Sequence, residues 1–244
     1  MRCGLCERDV EKFVGSHIIP KAMMIDGLND GERIAVAGTA GHPRKSLTGI
    51  WSKIVCLDCE KSFGPDDEYL IQVYRRLDSF PEGFEGHATI LENVDGLLLQ
   101  RSILSVLFRA HLSDHVAFRS IDLEEHADEL RKFLLSQKKE APASFSICLR
   151  HLTSPTGELV IQPIREEYNG INIFRFFFPK ITALIRVDNR EMEEPFRIIS
   201  LGANKPAHAM RSKNFSPSEM NIIRRIINHN ADTLPGTFGT KISD

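Results

Sequence analysis

Two cysteine pairs constrain what this chain can fold into more than any other feature. Cys3 and Cys6 form one pair in the stretch CGLC, and Cys56 and Cys59 form the second in CLDC. A two-residue spacer allows both thiolates of a pair to reach one ion at about 2.3 Å, and two such pairs complete a tetrahedral ligand set. The sequence therefore predicts a structural Zn²⁺, whose binding contributes about 10–16 kcal/mol to the folding of a small N-terminal region. The alternatives are a redox-active dithiol and four unrelated buried thiols.

The bulk properties are those of a globular protein in a reducing compartment. The chain has 244 residues and a formal net charge of −2, which excludes a wholly basic nucleic-acid binder but not a local basic groove. No apolar run approaches the roughly 18 residues that span a bilayer, and the charged N-terminal sequence is not a secretory signal. We therefore expect a cytoplasmic protein without a membrane partner, in which cysteines bind metal more often than they form disulfides. The fifth cysteine, Cys148, lies in an alternating apolar stretch and is predicted to be a small core residue.

The pattern of helices and strands predicts an α+β fold in three regions. Residues 1–75 are expected to form a zinc-bound finger, with a short strand that ends at Pro20, two further strands and a helix that follows Cys59. Residues 76–140 are expected to be helical, because apolar residues recur there at helical spacing. Residues 141–244 are expected to form an antiparallel sheet that a C-terminal helix closes.

The C-terminal region carries clear local signals for this organisation. Stretches rich in β-branched and aromatic residues predict strands at 144–153, 157–164, 171–179, 181–188 and 196–202. Ser216 and Glu219 form a capping box that begins the last helix. The aromatic strand that contains Phe174, Phe176, Phe177 and Phe178 is predicted to be buried on both sides. The alternative is a surface for a protein partner or for self-association.

His17 lies in the stretch SHIIP, where an apolar run is typical of a buried strand and an ionisable side chain needs a reason. This order of features resembles that of the zinc-bearing HNH (His-Me finger, treble-clef) endonucleases: a cysteine pair comes first, then a strand with His17, and then a second pair, in CLDCE, that begins a helix. The resemblance covers residues 1–75 and implies a ββα-metal unit. In that unit His17 is the general base, and Glu60 is a ligand of a catalytic Mg²⁺ or Mn²⁺. It also implies metal-dependent hydrolysis of nucleic acid, with DNA as the expected substrate, and a role in phage defence or in a mobile element.

The chemistry of phosphodiester hydrolysis fits these residue types. A water molecule must be deprotonated near neutral pH, and imidazole is the side chain whose ordinary pKa lies closest. A hard divalent cation must neutralise the charge that grows on the phosphate, and it prefers oxygen ligands such as the Glu60 carboxylate. Glu68 is the expected second carboxylate ligand of that ion, with Asp66 and Asp67 as the other candidates.

Ser16 departs from the family pattern, in which an acidic ligand commonly precedes the histidine, and Glu60 stands where an asparagine is usual. Ser16 favours a second interpretation, a zinc-stabilised nucleic-acid- or protein-binding module whose active site has decayed. His17 would then be a core histidine that hydrogen-bonds a backbone carbonyl. Glu60 would be an acid that the helix dipole favours at the start of the helix.

Basic residues near His17 in the sequence are candidates to line a groove and bind phosphates. They are Lys21, Arg44, Lys45 and Lys61, with Lys53 on the following strand. His42, beside Arg44, is either a further phosphate contact or an exposed loop histidine. The alternative for the whole set is an ordinary solvated surface.

Overall fold

The computed structural model describes residues 1–25, 34–37, 44–46, 49–80, 86–136, 138–152, 159–178, 180–213 and 215–230. It is a mixed α+β protein, as the sequence predicts. The strands are β1 (Val14–His17), β2 (Ile34–Ala37), β3 (Arg44–Ser46), β4 (Trp51–Val55), β5 (Ala88–Ile90), β6 (Phe145–Leu152), β7 (Leu159–Tyr168), β8 (Ile171–Phe177), β9 (Ile181–Val187) and β10 (His208–Ser212). The helices are α1 (Lys21–Ile25), α2 (Leu57–Arg76), α3 (Gly96–Leu112), α4 (Ala127–Leu135), α5 (Phe196–Ile199) and α6 (Pro217–Asn230).

A two-stranded ribbon joins the segments that carry the two cysteine pairs. Strand β1 pairs antiparallel with β4, so that His17 lies opposite Trp51, Ser16 opposite Ser52 and Gly15 opposite Lys53. Helix α2 follows β4 after a single residue. The start of β1, at Val14, is thereby held close to the start of α2, whereas His17 lies at the opposite end of the ribbon.

The larger sheet has eight strands in the order β3-β2-β7-β8-β9-β6-β10-β5. It is mixed rather than purely antiparallel, because β2 runs parallel to β7 and β10 runs parallel to β6. Strands β2 and β3 come from between the two cysteine pairs, and they extend one edge of the sheet. Strands from within the predicted finger, residues 1–75, therefore pair with strands from the predicted β-rich region, residues 141–244.

One predicted strand, residues 196–202, is wrong. Residues Phe196–Ile199 form the short helix α5, and the strand that joins the sheet in this part of the chain is β10. The segment contains β-branched residues, but its burial does not alternate, because Arg197 and Ile198 are both exposed whereas Ile199, Ser200 and Leu201 are all buried. Pro195 precedes the first helical residue, and a helix tolerates proline at its start because the missing N–H is unpaired there.

Helix α3 is the centre of the core. Leu99, Leu104 and Leu107 are completely buried, and α3 packs against α2 and α4. Its N-terminus is capped by Asp95, whose carboxylate accepts hydrogen bonds from the backbone N–H groups of Leu97 and Leu98, both at 2.9 Å. None of the helices in the described ranges is both long and apolar enough to cross a membrane.

The aromatic strand is buried on both sides, as predicted. Phe174, Phe176, Phe177 and Phe178 are each at most 3% exposed. Cys148 is also buried, and burial raises the pKa of its thiol to about 12. These side chains are therefore packing residues of the sheet.

The capping box of α6 is confirmed and is part of a buried ion cluster. The Ser216 backbone N–H donates to the Glu219 carboxylate at 2.7 Å, and the Glu219 N–H donates to the Ser216 hydroxyl at 3.4 Å. Glu219 is completely buried and accepts hydrogen bonds from Arg150 on β6 and Arg175 on β8. Burial raises the pKa of Glu219, but the hydrogen bond and charge of Arg150, the Ser216 N–H and the charge of Arg175 together outweigh it and hold the pKa below its ordinary value.

We expect Glu219→Ala to lower the free energy of unfolding by about 3–5 kcal/mol, because it leaves buried arginine charge without its partner. Because the pKa of Glu219 is lowered in the folded state, its contribution is fully present above the unfolded pKa and is lost as pH falls through the folded value. Urea unfolding of wild type and variant at several pH values measures both effects. Glu140→Ala, at an exposed position, is the control; equal losses in the two variants would contradict the ion cluster.

Candidate metal centre and histidine site

The first cysteine pair lies in a tight turn that the backbone closes on itself. The Glu7 N–H donates to the Cys3 carbonyl at 2.9 Å, and the Cys3 N–H donates to the Arg8 carbonyl at 3.0 Å. Glu7 has a φ of 58°, a left-handed conformation that reverses the chain after Cys6. The turn is tied to the ribbon, since the Gly4 N–H donates to the Ile54 carbonyl at 3.1 Å.

The second pair lies at the N-terminus of α2. Cys56 is the N-cap residue and Cys59 lies in the first turn, so the helix begins earlier than the sequence predicts, at Leu57. The Glu60 N–H donates to the Cys56 carbonyl at 3.0 Å, which closes that first turn. Unpaired N–H groups and the helix dipole at this end stabilise negative charge nearby.

The two pairs converge on one point. The four sulfur atoms lie within 4.8 Å of one another, and the Sγ atoms of Cys6 and Cys56 are 3.9 Å apart. Tetrahedral Zn²⁺ with bonds of 2.3 Å requires sulfur atoms about 3.8 Å apart. The arrangement therefore fits a metal ion such as zinc. A redox dithiol needs only two thiols, and it would not explain the approach of all four.

Arg8 supplies positive charge to this cluster. Its Nε donates to the Cys6 sulfur at 3.3 Å, and its Nη2 donates to Asp58 at 3.2 Å. Burial raises the pKa of the Cys6 thiol, but hydrogen bonds from Arg8 outweigh it and lower the pKa to about 6. Burial and the neighbouring thiols raise the pKa of Cys59. Thiol ligands release protons when they bind a cation.

His17 lies at the end of β1 and is partly exposed. Its ring lies next to Gly49, since a Cβ built on Gly49 would be in ordinary van der Waals contact with His17 Cδ2 at 3.6 Å and Met24 Sδ at 3.4 Å. Gly49 has a φ of 83°, which L side chains rarely adopt. The backbone of the turn before β4, rather than the neighbouring imidazole, therefore favours glycine at this position.

A buried arginine holds the His17 backbone against α2. Arg109 on α3 is completely buried, and its Nη1 donates to the His17 carbonyl at 2.6 Å. The same guanidinium binds both carboxylate oxygens of Asp67, one of them at 2.9 Å, and lies 5.0 Å from the centroid of the Phe63 ring. Sequence reasoning did not assign Arg109 a role, although an arginine within the most apolar helix signals a buried charge that needs a partner.

Glu60 and Glu68, the two proposed ligands of a catalytic ion, lie in different surroundings. Glu60 is partly buried, and its Oε2 is shielded from solvent and has no hydrogen-bond partner in the part of the chain that the structure describes. Glu68 is exposed and lies three turns into α2 rather than near its start. Eight residues separate the two along a continuous helix, a rise of about 12 Å. The helix therefore does not bring these carboxylates to one ion.

The other two acidic candidates, Asp66 and Asp67, form ion pairs with arginines. Asp66 is buried and accepts a hydrogen bond from Arg101 at 3.1 Å, and Asp67 is held by Arg109. Ser16 is completely buried, and it lies on the face of β1 opposite to His17, since side chains alternate along a strand. Position 16 thus offers no ligand on the face that carries the histidine.

The basic candidates are only partly within the described residues. Lys21, Lys53 and Lys61 are exposed, at the start of α1, on β4 and in the first turns of α2. Arg44 and Lys45 lie on β3, but their side chains, like the whole of His42, lie outside the described residues. A groove of about 440 Å³ runs beside α1 and α2, lined by Ala22, Gly64, Asp67, Glu68, Ile71, Gln72 and Arg75.

We expect the purified chain to contain one Zn²⁺, and Cys6→Ser or Cys59→Ser to lose it together with the fold of the N-terminal region. Metal analysis and thermal unfolding with and without a chelator measure this. Cys148→Ser removes a buried thiol outside the cluster and should retain the metal. Equal zinc content in all three variants would contradict the site.

We expect Asp67→Asn to lower the free energy of unfolding by about 3 kcal/mol, because it leaves the buried Arg109 guanidinium without a counter-charge. The neighbouring variant Glu68→Gln changes an exposed carboxylate on the same helix, and it should leave the stability unchanged. Urea unfolding of the three proteins distinguishes them. Similar stability of Asp67→Asn and wild type would show that the pair does not hold β1 to α2.

Within the described ranges, the four cysteines are the one group of three or more potential ligands that converges. The arrangement can hold a metal ion, and Arg109 ties the backbone of the partly exposed His17 to α2 at Asp67. Comparisons with protein-family models, with curated proteins and with solved structures found no match to the chain.

Proposed function

We propose that this chain is a metal-dependent endonuclease of the zinc-bearing HNH (His-Me finger) type, which hydrolyses phosphodiester bonds of nucleic acid, with DNA as the expected substrate. The observation that carries the proposal is the Glu60 carboxylate oxygen, shielded and without a hydrogen-bond partner, on the helix against which the His17 strand is fastened. A buried polar atom without a partner calls for an explanation, and an ion is one.

The scaffold supports the proposal. The turn with Cys3 and Cys6, the ribbon of β1 and β4, and the start of α2 follow one another in the order of a treble clef. Four cysteine sulfurs close this unit around a site that fits Zn²⁺. Such an ion would fix the strand that bears His17 relative to the helix that bears Glu60, which is what a precise site requires.

The roles follow from the chemistry of the side chains. His17 accepts a proton from the attacking water, and Arg109, which holds its backbone carbonyl, fixes its position. Glu60 would hold Mg²⁺ or Mn²⁺, which, when bound, supplies positive charge for the phosphate oxygens in the transition state. Lys21 and Lys61 are exposed on α1 and α2 and bind the phosphate backbone, together with Arg44 and Lys45. A role in phage defence or in a mobile element belongs to the same proposal.

The second candidate is a zinc-stabilised module that binds nucleic acid or protein without hydrolysis. It is favoured by the complete burial of Ser16, because no ligand can come from the position before the histidine. It is also favoured by the separation of Glu68 from Glu60 along α2. In that case Glu60 serves the metal cluster and the helix N-terminus only.

We expect purified protein with Mn²⁺ or Mg²⁺ to cleave plasmid or single-stranded DNA, and His17→Ala to lower the rate about 10²–10⁴-fold, the range for removal of a general base. Glu60→Gln should also lower the rate and raise the concentration of divalent ion that gives half-maximal cleavage. Gel assays of initial rates over a series of metal concentrations measure both effects.

His87→Ala, which alters an exposed histidine on the sheet side of the molecule, is the matched control and should cleave like wild type. Zinc content confirms that each variant retains its fold. Equal behaviour of wild type and His17→Ala on every DNA and RNA tested would remove hydrolysis and leave the binding module.

A further inference from the structure

We propose that Trp51 is a stacking platform for an unpaired nucleobase, so that the nucleic acid is held at this site as a single strand. This rests on the proposed function in its nucleic-acid part, and it adds the form of the substrate and a contact residue. It does not require that the bound strand be cut.

The ribbon of β1 and β4 has two distinct faces. Residues directly opposite each other in an antiparallel pair share a face, with Cβ atoms about 4.5–5.5 Å apart. Ser16 and Ser52 form the inner face and are buried. His17 and Trp51 are opposite each other on the outer face, which Lys53 shares at a distance of about 7 Å along β4.

The Trp51 indole contacts the backbone of the neighbouring strand, but much of its surface is exposed to solvent. A Cβ built on Gly15 would lie 3.5 Å from Trp51 Cε3 and 4.0 Å from Cζ3, so the ring lies against the Gly15 backbone. Trp51 is nevertheless 50% exposed. Apolar residues of this size are usually buried to a greater extent, and none of the ring pairs found among the described residues includes Trp51.

The surroundings favour a nucleobase over a protein partner. On this face Trp51 is flanked by Gly15, His17 and exposed Lys53 rather than by other large apolar side chains. A stable protein interface buries about 800 Å² on each partner around an apolar centre. Base stacking needs one aromatic face, with basic side chains nearby for the phosphates. Lys53 beside the indole, and Lys21 four residues after His17, provide that charge.

The same geometry selects an unpaired base. In a duplex both faces of each base are covered by neighbouring base pairs, so a base must leave the stack before an aromatic side chain can contact it. Any base can stack, which makes such a contact tolerant of sequence. A base on Trp51 would bring its sugar and phosphate to the His17 side of the ribbon.

Trp51 is the chain's sole tryptophan, so intrinsic fluorescence reports on this position alone. We would titrate wild-type protein, without added Mg²⁺ or Mn²⁺, with a labelled 12-mer of dT, an abasic strand of equal length and a 12-bp duplex. Anisotropy of the label gives binding, and indole emission with iodide quenching gives stacking. We expect the dT strand alone to quench the emission and shield the indole from iodide.

Trp51→Leu should weaken binding of the dT strand roughly ten-fold while leaving the abasic strand unaffected, and Trp51→Phe should retain most of the affinity. Tyr168→Leu, at an exposed aromatic position on β7, is the control. Binding of dT with unchanged emission and unchanged affinity in Trp51→Leu would overturn this proposal alone. Quenching that depends on protein concentration without nucleic acid would assign the face to a second copy. Failure of all three nucleic acids to bind would overturn the proposed function as well.

Discussion

Convergence of four sulfurs from two distant segments is the constraint on which the N-terminal half of the molecule depends. The turn around Cys3 packs on the core through Leu5, which is 1% exposed, and it is joined to the ribbon by backbone hydrogen bonds such as that from Gly4 to Ile54. A structural zinc site contributes about 10–16 kcal/mol, which is comparable with the entire net stability of an ordinary domain. If the cluster holds zinc, as we expect, loss of the ion would remove the connection between the turn and the first turn of α2.

Arg109 forms a second connection in this region, between β1 and α2, and this connection does not depend on the cysteines. The cysteines of the second pair lie at the first turn of α2, whereas Arg109 forms an ion pair with Asp67 about 12 Å further along the helix axis. Because the same guanidinium binds the His17 carbonyl, the end of β1 is tied to the middle of α2, while the start of β1 pairs with the end of β4 next to Cys56. A buried ion pair of this kind contributes little net stability compared with apolar packing. Its value here is geometric, since it fixes the position of the end of β1 along α2.

The sequence predicted the features that short-range chemistry determines. Spacing predicted the cysteine cluster, Ser216 and Glu219 predicted the capping box, and β-branched and aromatic content predicted β6 to β9. The prediction failed where long-range pairing decides: β2 pairs with β7, more than a hundred residues away, and the pairs β2–β7 and β6–β10 are parallel. Residues 196–202 have β-branched composition but no alternating burial. The partners of Asp66 and Asp67 were missed because both arginines come from a helix thirty or more residues later.

The alternation of side chains between the two faces of β1 also restricts where a catalytic ion could bind. An acid in place of Ser16 would point into the space shared with Ser52, which hydrogen-bonds Ser113 and Asp114, and not toward His17. The ribbon can therefore contribute the imidazole and a surface for the substrate, but no carboxylate. Glu60 and Glu68 remain as candidate ligands on α2, because Asp66 and Asp67 are held by arginines. Of these two, Glu60 has a shielded oxygen without a hydrogen-bond partner among the described residues, so under the proposed function its substitution should have the larger effect.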